Sequence, residues 1–143
     1  YYEYSITSDD TIKASLNPKN HIQSVYIGTK NILAGTRTGD IYELLRPRES
    51  ELKAKNTTYE NMVINRLSCN NNEIPKSVGF SHKMDHLYAL TQKGLFCVWS
   101  IKTLQLQYSH NFQRNTVSMI VFKNKPWILL VFETEVIISY YTN

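Results

Sequence analysis

One pattern of side chains recurs three times along this chain. Recurrence at a fixed spacing restricts a polypeptide to architectures built from stacked, equivalent units. The pattern is an apolar strand, a turn, a second strand, a tight turn and a third strand. Its first copy begins at Ile22-Gln23-Ser24-Val25-Tyr26-Ile27, continues from Ile32 to Thr36, turns at Arg37-Thr38-Gly39 and ends in Asp40 to Leu44. The second begins at Lys76 to Phe80, turns through Ser81 to Asp85, resumes from Leu87 to Thr91, turns at Gln92-Lys93-Gly94 and ends in Leu95 to Trp99. The third runs from Val117 to Phe122, turns at Asn124-Lys125-Pro126 and continues as Ile128 to Phe132 and Val136 to Tyr140. Thr36 and Thr91 lie 55 residues apart, as do Gly39 and Gly94, while Val78 and Ile120 lie 42 apart.

The residue types fit strands. Val, Ile, Tyr and Thr abound, and such β-branched and aromatic side chains pack well on a pleated surface. Gly39 and Gly94 fall where a hairpin turn needs a positive φ, which glycine adopts without steric cost. A spacing of 42 lies within the roughly 40–45 residues of a four-stranded propeller blade. The 13 extra residues of the first interval (55 against 42) are absorbed by the polar stretch 46–72, expected to be an inserted loop. The expected fold is therefore all-β, a β-propeller segment of roughly three to three and a half blades from a larger propeller, since propellers usually have four to eight. Residues 1–20 would end a preceding blade with an outer strand at Thr11 to Leu16. Residues 21–73 and 74–115 would be blades, and 116–143 a partial one.

At these residues the chain resembles the WD-repeat family. Ile22-x-x-Val25-x-Ile27 and Val117-x-x-Ile120-x-Phe122 are similar to the family's first-strand signature. Leu90-Thr91-Gln92-Lys93-Gly94-Leu95-Phe96-Cys97-Val98-Trp99-Ser100 is similar to the stretch that ends a blade in Trp-Asp, with Ser100 replacing the Asp. Ile101 to Leu106 reads like the outer strand that follows. The resemblance implies structural roles for Thr36, Gly39, Thr91, Gly94 and Trp99. It also implies a polar tie of Asp, His, Ser or Thr, and Trp. Lys93 and Thr38 stand where the Asp belongs, Leu44 replaces the first Trp, and no His falls at the matching place. Such blades would be held by packing and backbone ladders.

A shorter stretch, Ile32-Leu33-Ala34-Gly35-Thr36-Arg37-Thr38-Gly39-Asp40-Ile41-Tyr42-Glu43, is similar to blades of the echinoderm microtubule-associated-protein-like group and related ciliary proteins. That likeness implies a cytoskeletal or axonemal scaffold whose partners are tubulin or axonemal proteins, besides the remaining blades of the propeller.

Composition narrows function without naming it. Hydrophobic residues make up 42% and charged residues 20%, which suits a folded core rather than disorder. Net charge is only +4, and Arg46, Arg48, Lys53 and Lys55 alternate with Glu49 and Glu51, so nucleic acid is not the expected partner. Cys69 and Cys97 lack a disulfide-framework spacing, and no apolar run approaches the ~20 residues of a membrane span. A soluble protein of the cytoplasm, cytoskeleton or cilium follows as the expectation. His82 and His86 stand four apart but across a predicted turn, so they would be surface histidines rather than a metal pair. No phosphate loop or nucleophile elbow is present, and no metal, cofactor or catalytic residue is expected. The resulting expectation is a non-enzymatic protein-interaction scaffold whose contact is the basic set Arg46, Arg48, Lys53 and Lys55. The alternative is a propeller subunit of a ribonucleoprotein, trafficking or chromatin complex.

Overall fold

A computed structural model describes residues 21–28, 31–45, 63–68 and 73–140. Alternating apolar residues of the first repeat form β1 (Ile22–Ile27), β2 (Asn31–Thr36) and β3 (Asp40–Leu45), followed by β4 (Val63–Ser68). The second repeat forms β5 (Pro75–Phe80), β6 (His86–Thr91), β7 (Leu95–Ser100) and β8 (Leu106–Asn111). The third forms β9 (Thr116–Val121), β10 (Trp127–Phe132) and β11 (Val136–Tyr140). All neighbours pair antiparallel in chain order, giving two four-stranded sheets and one of three strands among the described residues.

The sheets repeat one another in detail. Each first strand carries a β-bulge at the same place, leaving Gln23, Lys76 and Val117 unmatched and exposed. A second register shift recurs between the third and fourth strands, at Glu43/Leu44 and at Val98/Trp99. Each second strand is followed by a residue whose N–H donates to a carbonyl just ahead of the first strand. The three bonds are Arg37 to His21 at 2.9 Å, Gln92 to Ile74 at 2.8 Å and Glu133 to Asn115 at 3.2 Å. Bulges locally strengthen twist, so their recurrence gives the three sheets a common shape.

Packing joins the sheets through their first strands, β1 against β5 and β5 against β9. The strand period of two divides the middle sheet between two cores. Leu87, Ala89, Cys97 and Trp99 face back to Leu33, Ile41 and Leu67 of the first sheet. Tyr88, Leu90, Phe96 and Val98 face forward to Met119, Ile128, Leu130 and Phe132 of the third. Hydrogen bonds stitch the same interfaces. Ser24 Oγ donates to the Pro75 carbonyl at 2.7 Å, and the Met119 N–H donates to Ser77 Oγ at 3.0 Å.

The structure corrects four expectations. The range 46–72 is not wholly an inserted loop, because it contains β4. Its strand character is masked in sequence by Asn65, Arg66 and Ser68, which face polar neighbours. Ile101 to Leu106 is not the outer strand. Residues 101–105 turn, with Leu104 at a φ of 59°, and the strand begins at Leu106. The third repeat matches the second at a spacing of 41 rather than 42, since Ser77 and Ser118 hold equivalent bulge positions. The buried residues are consequently Thr116 and Met119, whereas Val117, Ile120 and Phe122 are exposed. A one-residue slip in a strand exchanges its two faces. His86 is buried at the start of β6 and not a surface turn residue. The expected strand Thr11 to Leu16 and Cys69 lie outside the described residues.

Candidate protein-interaction site

The tight turns between second and third strands gather at one end of the three sheets, and their local chemistry explains their shape. Gly39 and Gly94 have φ of 92° and 98°, and each donates its N–H to the preceding threonine carbonyl, Thr36 or Thr91, at 3.1 Å. The same threonines cap the turns with their hydroxyls. Thr36 Oγ1 accepts the Asp40 N–H at 3.2 Å, and Thr91 Oγ1 accepts the Leu95 N–H at 2.9 Å. Both threonines are fully buried. The third turn is one residue shorter, with Phe132 opposite Glu135, and there the Phe132 N–H donates to the Glu135 carbonyl at 2.8 Å. Trp99 is buried in the core between the first and middle sheets.

Carboxylates enter these turns by routes the sequence did not disclose. In the middle sheet, Thr91 Oγ1 donates to Glu73, which precedes β5. In the first sheet, Asp40 takes hydrogen bonds from Ser68 Oγ at 2.8 Å, Arg66 Nη2 at 2.8 Å and Thr38 Oγ1 at 3.2 Å. Burial alone would raise the Asp40 carboxyl. The bonds from Ser68, Arg66 and Thr38 and the Arg66 charge outweigh it and hold the group below its ordinary value. Glu43, also buried, accepts from Asn31 Nδ2 and Asn65 Nδ2, both at 2.6 Å. Asp40 and Glu43 therefore have structural work inside the blade.

At the opposite end, Ser81 Oγ donates to Asp85 Oδ1 at 2.6 Å, and the same oxygen lies 3.0 Å from His86 Nδ1. His86 Nε2 lies 3.0 Å from Gln107 Oε1. Burial raises the Asp85 carboxyl, but Ser81 and His86 outweigh it and leave it below its usual value. Ser81 Oγ also accepts the His86 main-chain N–H at 3.0 Å, so it ties the start of β6 to the turn while the imidazole meets Asp85 and Gln107.

A polar cleft of about 360 Å³ opens at the turn end between Glu73, Lys93, Asn111, Gln113, Arg114 and Asn115. Its floor is rigid because the link from β8 to β9 runs as a ladder beside the turn. Phe112 donates to the Gly94 carbonyl at 2.9 Å, Arg114 to that of Lys93 at 3.1 Å and Thr116 to that of Gln92 at 3.0 Å. A Cβ at Gly94 would lie 2.7 Å from the Arg114 carbonyl oxygen, so this approach requires glycine twice over. Arg114 is ion-paired to Glu135, and Gln113 holds a φ of 55° with its N–H on Asn111 Oδ1 at 2.9 Å. Lys93 is exposed at the lip.

Of the residues singled out from sequence, Thr36, Gly39, Thr91, Gly94 and Trp99 stand at turns and in the core as described. Arg46, Arg48, Lys53 and Lys55 lie outside the described residues. The cleft was missed: its residues come from three separate segments and share no motif. Among the described residues no group of three His, Cys, Asp or Glu side chains is placed to hold a metal, and no helix is long and apolar enough to cross a membrane.

No family model matches the chain, and no curated protein matches it. Solved structures do. The WD40 domain of Toxoplasma gondii coronin superposes with a TM-score of 0.71 at 12% identity, over 85% of this chain and 31% of that one. Chaetomium thermophilum Raptor gives 0.68 at 11% identity, over 85% and 11% of the two chains. The RRP9 WD40 repeats give 0.60 at 8% identity, over 78% and 32%. The chain thus spans about a third or less of each of these three chains. Three antiparallel sheets joined through their first strands, with these neighbours, give the chain the fold of consecutive WD40 propeller blades.

Proposed function

We propose that this chain is part of a non-enzymatic protein-interaction scaffold, with the turn end of the blades as its working surface. The observation that carries this reading is the preformed polar cleft, braced by backbone bonds and capped turns, on a framework whose remaining polar groups serve blade architecture. Rigid presentation lowers the ordering cost of binding, which favours recognition. Cross-linking mass spectrometry of the whole protein in cells tests the reading. Partner peptides joined near Lys93 and the 111–115 segment are expected, and their absence from every partner protein would contradict it.

The finer reading is a cytoplasmic scaffold of the cytoskeleton or cilium, with tubulin or axonemal partners meeting Arg46, Arg48, Lys53 and Lys55. It rests on the likeness of residues 32–43 and on charge-assisted bonding to acidic protein surfaces. The likeness is tempered by Thr36, Asp40 and Glu43, whose side chains are consumed by the blade itself. Charge reversal at all four basic residues should abolish co-sedimentation with microtubules; unchanged co-sedimentation removes the tubulin reading.

A further inference from the structure

The cleft at the turn end has a composition that selects its occupant. Its lining holds two cations, Lys93 and Arg114, one carboxylate, Glu73, and three amides, Asn111, Gln113 and Asn115. Arg114 is neutralised by Glu135, and Glu73 is engaged by the Thr91 hydroxyl. Lys93 has no ion pair among the described residues. The cleft therefore offers one uncommitted positive charge beside a fixed negative one. A single carboxylate can pair with Lys93 at the exposed lip, whereas a dianionic group would be repelled more strongly by Glu73 and Glu135. The amides carry donors and acceptors suited to main-chain N–H and C=O groups, as peptide grooves require.

We propose that this cleft docks an acidic peptide segment of a protein partner, with one Asp or Glu carboxylate on Lys93 and the peptide backbone on Asn111, Gln113 and Asn115. The inference rests on the scaffold reading and names the partner chemistry of its working surface. Lys93 follows as a specificity residue. It occupies the turn position that carries Thr38 in the first sheet, and the shorter third turn is Glu133-Thr134, so the middle sheet alone presents a cation there. The site is built without it, since the turn is held by Thr91, Gly94 and the backbone of Arg114. Replacing Lys93 therefore changes recognition and leaves the fold.

Amide chemical-shift mapping on the whole protein tests this. Short Gly/Ser peptides carrying one central Glu, Gln, Lys or phosphoserine serve as probes. The Glu peptide should shift the amides of residues 92–94 and 111–115 saturably. Lys93→Gln should weaken that binding about three- to fivefold, the ratio expected for one exposed charge pair, and Lys93→Glu should abolish it. Raised salt should weaken it too. Equal shifts from the Gln peptide would overturn charge recognition. Tighter binding of the phosphoserine peptide would overturn the single-carboxylate assignment, and shifts confined to other residues, or none, would overturn the site. Failure here is separable from failure of the scaffold reading. If Lys93→Glu keeps the partner cross-links to the 111–115 segment in cells, the scaffold stands and Lys93 is not its specificity residue.

Discussion

The middle and third sheets are copies of one design, yet they live in different surroundings. On the middle sheet Tyr88, Leu90, Phe96 and Val98 are 3%, 0%, 3% and 0% exposed, because the third sheet lies on them. At the equivalent positions the third sheet carries Leu129, Val131, Val136 and Ile138, as apolar a set. There Val136 is 57% exposed and Ile138 71%. Trp127 and Tyr140, which pair across β10 and β11, extend this open apolar face at 43% and 62% exposure. Burial is thus decided by whether a neighbouring sheet is present, and the side chains of the strand alone do not decide it. Contiguous apolar surface of this kind marks a place where further protein packs.

Substitutions at matched positions should show the contrast as energy. Leu90→Ala removes a fully buried side chain between two sheets and should cost about 2–5 kcal/mol in urea unfolding. Val131→Ala, at the matching site of the third sheet, should cost less than about 1.5 kcal/mol. Equal costs would break the comparison. The first sheet supplies a polar variant of the same test. Asp40→Asn leaves Arg66 and Ser68 facing a neutral amide and should cost about 1–3 kcal/mol.

The pH dependence at Asp40 has a definite sign. Its folded-state pKa lies below the ordinary 3.8, so its contribution is complete above that value. It is lost as the pH falls through the lower folded value, and Asp40→Asn should flatten that part of the acid-unfolding curve. A destabilisation of Asp40→Asn that grows below the ordinary carboxylate range would contradict the assigned bonds. The smallest effect belongs to the open face. Ile138→Ser should change stability by no more than about 0.5 kcal/mol while reducing association at high protein concentration. A large loss of stability would show that the face is already covered.

Much of the architecture was legible because strand alternation and turn glycine have direct physical causes. Gly39 and Gly94 announce their turns by needing positive φ, and Leu95 to Trp99 announces a strand by its place in the repeat. The register of the third repeat was not legible. Val117 looks like a core residue, but the bulge expels it, and a bulge leaves no trace in residue type. β4 was hidden for a related reason, since Asn65, Arg66 and Ser68 are polar in order to serve Glu43 and Asp40. Glu73 and His86 escaped because their partners lie 18 and 21 residues away. The cleft was illegible for the same cause on a larger scale: folding alone brings residues 73, 93 and 111–115 together.

The stacked-blade fold requires the first strands of successive sheets to lie side by side, in chain order. Proton–proton NOEs observe that directly. Gly79 lies against Val121 and Tyr26, with the Val121 Cγ2 atom 2.8 Å from where a Cβ would sit, and Tyr26 meets Phe80 edge-on at 5.9 Å. Strong NOEs from the Gly79 α-protons to a Val121 methyl, with Tyr26 ring contacts to Phe80, are the predicted result. A spectrum lacking both, or one placing β1 directly against β9, would contradict the stacked-blade fold.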